Sequence, residues 1–341
     1  MPQGPLRLPF WVVTDTCKSR FAGLAVVVAL GALAACTAPA TTEAADSSAC
    51  APTLPTGRST VHLTVGGLDR LVLVYVPENV DRRDDRAALV LTLHGSTGDA
   101  TGQLDRSRLE SAADEHGFVV AAPQGAMPAE PGYRWNVPFV TGPNGPDDEQ
   151  FLLAVIDHLS GAACTDPARV HATGYSGGGR MVSALACDHP DRVASIVPVV
   201  GLRAGAPTSD GAGGFVPDPA TCTPAHPVSV VTFAGTADPV NPFDGRGEPY
   251  WGYGTREAAS RWAGFNGCQP EPTTDRVGPH VEKVTYGGCA DGADVTLYVV
   301  EGGGHTWPGS AATWPEELGP VTQEVSANTV IADLVANRPG A

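Results

Sequence analysis

Lysine is nearly missing from this 341-residue sequence. Lys18 and Lys283 are the only two, so the basic residues are almost all arginine. Such usage fits a GC-rich genome and says little about function. Positive charge is scarce as well. Without residues 1–35, which carry three basic residues and one acidic, 18 basic residues face 36 acidic ones, a net charge of −18. A surface of that sign repels nucleic acid, anionic membrane and polyanionic substrates, so a neutral substrate suits it better. No two cysteines stand at Cys-x-x-Cys spacing and no His-x-x-x-His accompanies them, which argues against a zinc site. No internal repeat appears, and no linker divides residues 51–341. That length is ample for one large core, and a single domain is expected there.

The N-terminus does not read as fold. Arg7, Lys18 and Arg20 precede an apolar run from Phe21 to Ala35 that is too short to span a bilayer comfortably. Residues 1–35 therefore have the form of a signal peptide. The run closes on Leu33-Ala34-Ala35-Cys36, which resembles a bacterial lipobox and makes Cys36 the expected site of lipidation. Membrane attachment is expected only through that anchor, and ordinary signal cleavage near the same alanines is the alternative. Residues 36–50 are small, polar and unpatterned, as a flexible tether would be. Six cysteines follow Cys36, and an even number in an exported chain reads as disulfides with fifteen possible pairings. Cys268 and Cys289 flank one local excursion and form the first expected pair. Cys187 with Cys222 is the second.

Along residues 51–341 the period of the apolar residues changes repeatedly. Ser59–Val65 and Arg70–Val76 alternate apolar with polar about Gly66-Gly67, as an antiparallel pair at a sheet edge does. Ala88–Leu93, Phe118–Ala122, Val170–Thr173, Val193–Val200, Val228–Phe233 and Val295–Val300 are nearly continuous apolar runs, typical of parallel strands buried on both faces. Helical patterns separate them: Leu104–Glu115, a segment opened by Asp147-Asp148 with Phe151, Leu152, Val155, Ile156 and Leu159 on one face, Arg180–Ala186, and Thr255–Phe265. A final helix is expected with Pro320 at its start, and a short strand over Val281–Tyr286. Strands alternating with helices after an antiparallel start predict an α/β fold, a mostly parallel doubly wound sheet with an antiparallel N-terminal edge and helices on both faces.

Reactive side chains in such a sheet gather at the carboxyl ends of its strands. Here those ends carry His94-Gly95-Ser96, Gly174-Tyr175-Ser176-Gly177-Gly178, Asp238 and His305. A Gly-x-Ser-x-Gly between a β-branched run and a helical pattern is a nucleophile elbow, and Ser, Asp, His is the α/β-hydrolase order. Ser176 is the expected nucleophile, His305 its base, and Asp238 the acid that orients the imidazole. Asp244 is the runner-up acid. The oxyanion donors are expected to be the backbone N–H groups of Ser96 and Gly177. His94 is expected to brace the loop rather than titrate in catalysis. Trp135, Trp251 and Trp307, with Tyr250 and Tyr253, lie in loops near the expected mouth and are candidates to stack a substrate ring.

His94-Gly95, Asp147-Asp148-x-x-Phe151, Gly174-Tyr175-Ser176-Gly177-Gly178, Gly235-Thr236-Ala237-Asp238 and Gly303-Gly304-His305-x-Trp307-Pro308-Gly309 together resemble the secreted polyhydroxybutyrate depolymerase and feruloyl esterase family, related to carbohydrate esterase family 1. The resemblance covers roughly Val61 to Leu334. It implies an α/β-hydrolase that cleaves carboxylic esters with no cofactor and no metal. Family members often carry Asn or Ala where this sequence has Gly177; the backbone donor survives the change, while the pocket floor differs. No polymer-binding domain or Ser/Thr-rich linker is seen, which weighs toward feruloyl or acetyl esters of plant polysaccharide, or short hydroxyalkanoate esters. A peptidase of the same fold and a non-catalytic surface binding protein are the alternatives.

Overall fold

The first 9-residue strand, β1 (Gly57–Val65), alternates half-buried with exposed residues and pairs antiparallel with β2 (Leu68–Val76) through Gly66-Gly67. The computed structural model describes residues 50–83, 85–142, 144–245 and 252–337. The expected signal peptide (1–35), the lipidation site Cys36 and nearly all of the expected tether lie outside the described residues, as does Trp251.

The chain continues through β3 (Arg82–Arg83), β4 (Arg86–Leu93), α1 (Ala100–Ser107), α2 (Leu109–His116), β5 (Val119–Pro123), the hairpin of β6 (Met127–Ala129) and β7 (Gly132–Arg134), and α3 (Asp148–Ala162). Then come β8 (Thr165–Tyr175), α4 (Gly177–Asp188), β9 (Ser195–Val199), the hairpin of β10 (Pro207–Ser209) and β11 (Phe215–Pro217), and β12 (Ser229–Gly235). The last elements are α5 (Thr255–Phe265), β13 (Thr273–Gly278), β14 (Val281–Tyr286), β15 (Val295–Val300) and α6 (Ala327–Asn337). The main sheet runs β1-β2-β5-β4-β8-β9-β12-β15-β14-β13, with β3 against β4. Its six central strands, β5 to β15 in that order, are parallel. Both edges are antiparallel, so the expected N-terminal edge has a counterpart at the far side.

Side chains leave successive strand residues on opposite faces, and β4 serves both. Leu89, Leu91 and Leu93 pack with Phe151 and Val155 of α3, Met181 and Leu185 of α4, and Trp262 of α5. Ala88 and Val90 pack with Leu104 of α1, Leu109 and Ala113 of α2, and Ile331 and Val335 of α6. From β4 the chain crosses to β5 over one face, then returns over the other to β8 on the opposite side of β4. The order therefore reverses between β4 and β8, and a crevice opens at their carboxyl ends.

Three elements depart from expectation. The helix expected over Leu104–Glu115 is two helices, because Arg108 adopts the left-handed conformation (φ 54°) and Ser107 Oγ accepts the Leu109 N–H. A hydroxyl that offers the backbone a local partner competes with helix continuation. The last helix begins at Ala327 rather than Pro320, whose carbonyl instead accepts from the Gly304 N–H and Thr306 Oγ. Finally, β13 is exposed along nearly its whole length, so no alternation of polarity marks it.

Three disulfides tie the described chain: Cys187–Cys222, Cys268–Cys289 and Cys50–Cys164. The first two match the expected pairs. The third closes 114 residues and joins the start of the described chain to the turn after α3. In the chain-entropy account a closure of that length contributes roughly 5 kcal/mol, against about 3 kcal/mol for the 21-residue loop between Cys268 and Cys289.

The Asp147-Asp148-x-x-Phe151 motif has two separate roles. Asp147 caps α3 by accepting the Gln150 N–H at 2.8 Å. Asp148 is buried and meets Arg70 at 2.6 Å while also accepting the Asn136 N–H. The Arg70 guanidinium lies 3.8 Å over the Phe151 ring and donates to the Gln124 carbonyl. Burial pushes the Asp148 carboxyl above its ordinary value, and this outweighs the attraction of Arg70. Removing one member leaves the other charge buried alone. Asp148→Ala is expected to lower unfolding free energy by about 3–5 kcal/mol in urea titrations, and a loss under 1 kcal/mol would contradict this account.

Candidate active site

Between the end of β8 and the start of α4 the chain turns through one residue. Ser176 has φ 52° and ψ −111°, a conformation that costs a non-glycine residue on the order of 1–3 kcal/mol. The turn is held by the Ser176 N–H on the Val199 carbonyl (2.9 Å) and by the Arg180 N–H on the Ser176 carbonyl (3.0 Å). Ser176 thus stands at the N-terminus of α4, where unpaired N–H groups and the helix dipole favour negative charge.

The loop after β4 lies against this turn. A Cβ added to Gly177 would fall 2.6 Å from Ser96 Oγ and 3.1 Å from the Ser96 nitrogen. The two expected backbone donors are therefore neighbours, and a side chain at 177 would require the Ser96 hydroxyl to turn away. His94 holds the loop from beneath. It is buried, its Nδ1–H donates to the Gly95 carbonyl at 2.8 Å, and its Nε2 accepts the Gly125 N–H at 2.9 Å. One donating and one accepting nitrogen define a neutral imidazole. Burial also pushes its pKa down.

Asp238 and His305 come together from the ends of β12 and β15. His305 Nδ1 lies 2.7 Å from Asp238 Oδ2, and both side chains are almost wholly buried. The other carboxylate oxygen, Oδ1, accepts the N–H groups of Val240 (2.8 Å) and Asn241 (2.7 Å), which leaves Oδ2 for the imidazole. Asn241 in turn donates to the Val200 carbonyl and ties the loop to the end of β9. Asp244, the alternative acid, is exposed farther along the loop. His305 is reached through glycines because its loop is crowded: a Cβ on Gly304 would lie 2.1 Å from the Leu318 carbonyl. The strand-end residues Ser96, Ser176, Gly177, Asp238 and His305 share one end of the sheet.

Two of the three tryptophans expected to stack a substrate do something else. Trp135 is buried 4.9 Å from the His94 ring and donates from Nε1 to the His94 carbonyl, so it supports the loop after β4 from inside. Trp307 is buried in the core beneath α6 and donates to Asn328 Oδ1. The hairpin of β6 and β7 carries Trp135 inward, a placement that sequence pattern does not report. Instead Trp314, which sequence reasoning passed over, is half-buried with its edge toward Tyr175 at 5.2 Å. A small pocket of about 40 Å³ lies along α4, lined by Val137, Phe139, Arg180, Ala184 and Pro207 among others.

A model of the prolyl oligopeptidase family matches residues 105–204. NocK of Nocardia uniformis subsp. tsuyamanensis, a protein with an esterase name, is 29% identical over 292 residues, covering 80% of this chain and 81% of that one. Feruloyl esterase B of Piromyces equi is 32% identical over 244 residues, covering 69% of this chain and 42% of its own length. Among solved structures, the acetyl xylan esterase from Aspergillus awamori superposes with a TM-score of 0.51 at 18% identity, over 73% of this chain and 94% of that one, a likeness of fold. The protein is an α/β-hydrolase and a serine carboxylesterase. Within that class the chain is similar to feruloyl esterases.

The depressed pKa of His94 has a consequence for stability. The unfolded chain takes up a proton on this imidazole below about pH 6.5, while the folded protein keeps it neutral. Its contribution is therefore present above that pH and lost as pH falls toward the depressed folded value. His94→Asn is expected to flatten the decline of unfolding free energy between about pH 6.5 and 5. Equal slopes in the two proteins would contradict it.

Proposed function

We propose that Ser176, His305 and Asp238 form the catalytic triad of an exported ester hydrolase working through an acyl-enzyme. The observation that carries this reading is the 2.7 Å contact between His305 and a carboxylate whose other oxygen is occupied by two backbone N–H groups. Asp238 fixes the tautomer that leaves Nε2 free to take a proton, and it stabilises the imidazolium that results. Ser176 attacks the ester carbonyl as His305 takes its proton, and the tetrahedral oxygen is met by the N–H groups of Ser96 and Gly177. His305 then protonates the departing alcohol. Water repeats the sequence to free the acid and restore Ser176.

For substrate, feruloyl or acetyl esters of plant polysaccharide are favoured, with short hydroxyalkanoate esters next. This preference is supported by named relatives, which include a feruloyl esterase and an acetylxylan esterase. Three disulfides fit an oxidising compartment outside the cytoplasm, and Cys36 would anchor the protein to a membrane through lipid. The prolyl oligopeptidase match favours a second reading, amide cleavage by the same residues.

Wild-type protein is expected to turn over p-nitrophenyl acetate and to prefer methyl ferulate or acetylated xylan over a peptide nitroanilide. Ser176→Ala should lower kcat on the order of 10⁶-fold. Activity intact in that variant would overturn the triad, and preference for the nitroanilide would select the peptidase.

A further inference from the structure

The side chain next to the proposed nucleophile touches two other segments of the site. Tyr175 ends β8, and its ring leaves the strand on the face covered by α1, α2 and α6, under the loop that carries His305. Its hydroxyl donates to the His305 backbone carbonyl at 2.7 Å, across 130 residues of sequence. Its ring centroid lies 5.0 Å from the His305 imidazole. On another side, the ring fills the space above Gly95: a Cβ there would sit 2.6 Å from Tyr175 Cδ1. The glycine of His94-Gly95 is thus what lets the oxyanion loop close over this ring.

Besides Asp238, the histidine loop has contacts with a second segment. The His305 N–H donates to the Leu318 carbonyl at 2.6 Å, and its neighbour Thr306 donates to the Pro320 carbonyl. Both contacts tie the histidine loop to the 318–320 segment, and neither reaches β8. The tyrosine hydroxyl does. The geometry points to Tyr175 as a positioning residue that sets the histidine loop and the oxyanion loop in register with Ser176, because one side chain, covalently adjacent to the nucleophile, bonds the first and packs against the second. This inference rests on the triad proposed above. Burial pushes the phenol above its ordinary range, so the hydroxyl remains a donor throughout the working pH of an imidazole base. Trp314 closes the outer edge of the ring.

The chemistry implies a particular signature. Tyr175 touches no substrate in this account, so losing its hydroxyl should leave substrate binding alone and misplace the base. Misplacement by about 1 Å costs on the order of 100-fold. Tyr175→Phe keeps the ring and deletes only the bond to His305. Its kcat on p-nitrophenyl acetate is expected to fall about 10- to 100-fold with KM unchanged. The acid limb of kcat/KM should stay where it is in the wild type while the plateau drops, because geometry changes and basicity does not. Gly95→Ala, which pushes on the same ring with the hydroxyl intact, should lower kcat in the same way and serves if Tyr175→Phe folds poorly. An unchanged kcat in both variants overturns the inference. So does a raised KM at constant kcat, which would make Tyr175 a substrate contact, or a shifted acid limb under an unchanged plateau. A wild-type protein that turns over no ester overturns the triad and this inference together, whereas an active wild type with indifferent variants overturns this inference alone.

Discussion

A carboxylate held out of water against an imidazole is the interaction on which the active end of this molecule depends. Burying an ionised carboxylate costs several kcal/mol unless its lone pairs are used. Asp238 uses three of about four, with two backbone N–H groups on one oxygen and His305 on the other. That solution requires the loop after β12 to turn sharply and stay put, which Asn241 secures by reaching the end of β9. It also requires the loop after β15 to arrive within hydrogen-bond distance, which glycines and the 318–320 segment arrange. The geometry of one buried pair thus dictates the backbone of three separate segments.

A second polar chain runs from the N-terminal edge of the sheet to the oxyanion loop. Arg70 on β2 pairs with Asp148 at the start of α3 and donates to the Gln124 carbonyl. Gln124 accepts the Ala100 N–H at the start of α1 and stands 3.3 Å from His94, which grips Gly95 and Gly125. Trp135 closes the chain on the His94 carbonyl. Each member is buried or nearly so, and each has a partner, the condition under which a polar network rigidifies rather than weakens a core. The family motifs of this chain therefore divide into groups that face the crevice and groups that hold those in place.

That division sets what the sequence discloses. The order of Ser176, Asp238 and His305, and their positions after apolar runs, were legible because a buried parallel strand leaves an unmistakable run and a close turn demands glycine. The Cys268–Cys289 disulfide was legible because its cysteines flank one local excursion, whereas no such pattern marks Cys187–Cys222, and Cys50–Cys164 was not legible, since 114 residues separate its ends. The tryptophans were misread for a physical reason. Trp135 and Trp307 sit in loop sequence, yet each ring is driven inward by its size and supplied with an acceptor for its N–H, His94 for one and Asn328 for the other. Burial of that kind depends on where a loop folds back, and no period along the chain encodes it. Arg108 is similar: nothing in a helical pattern announces one left-handed residue. Tyr175 lay in plain view inside the Gly-x-Ser-x-Gly motif, but its meaning depends on a partner 130 residues away.

The loops around the pocket along α4 are themselves covalently tied. The cavity beside α4 is walled by residues 137–140 on one side and by 203–207 with Thr221 on the other, and Cys187 lines it from the helix. Cys187 is bonded to Cys222, so the disulfide joins α4, which follows Ser176, to the far wall of the cavity. The β10–β11 hairpin, which that wall carries, packs little apolar surface of its own, and its strands are only three residues long. A wall so lightly built holds its shape through the cross-link and through Tyr253, whose hydroxyl accepts the Ala204 N–H and donates to the Gly205 carbonyl. The geometry of the proposed triad comes from the sheet and the polar networks around it. The shape of the pocket along α4 comes in part from a bond that forms under oxidising conditions.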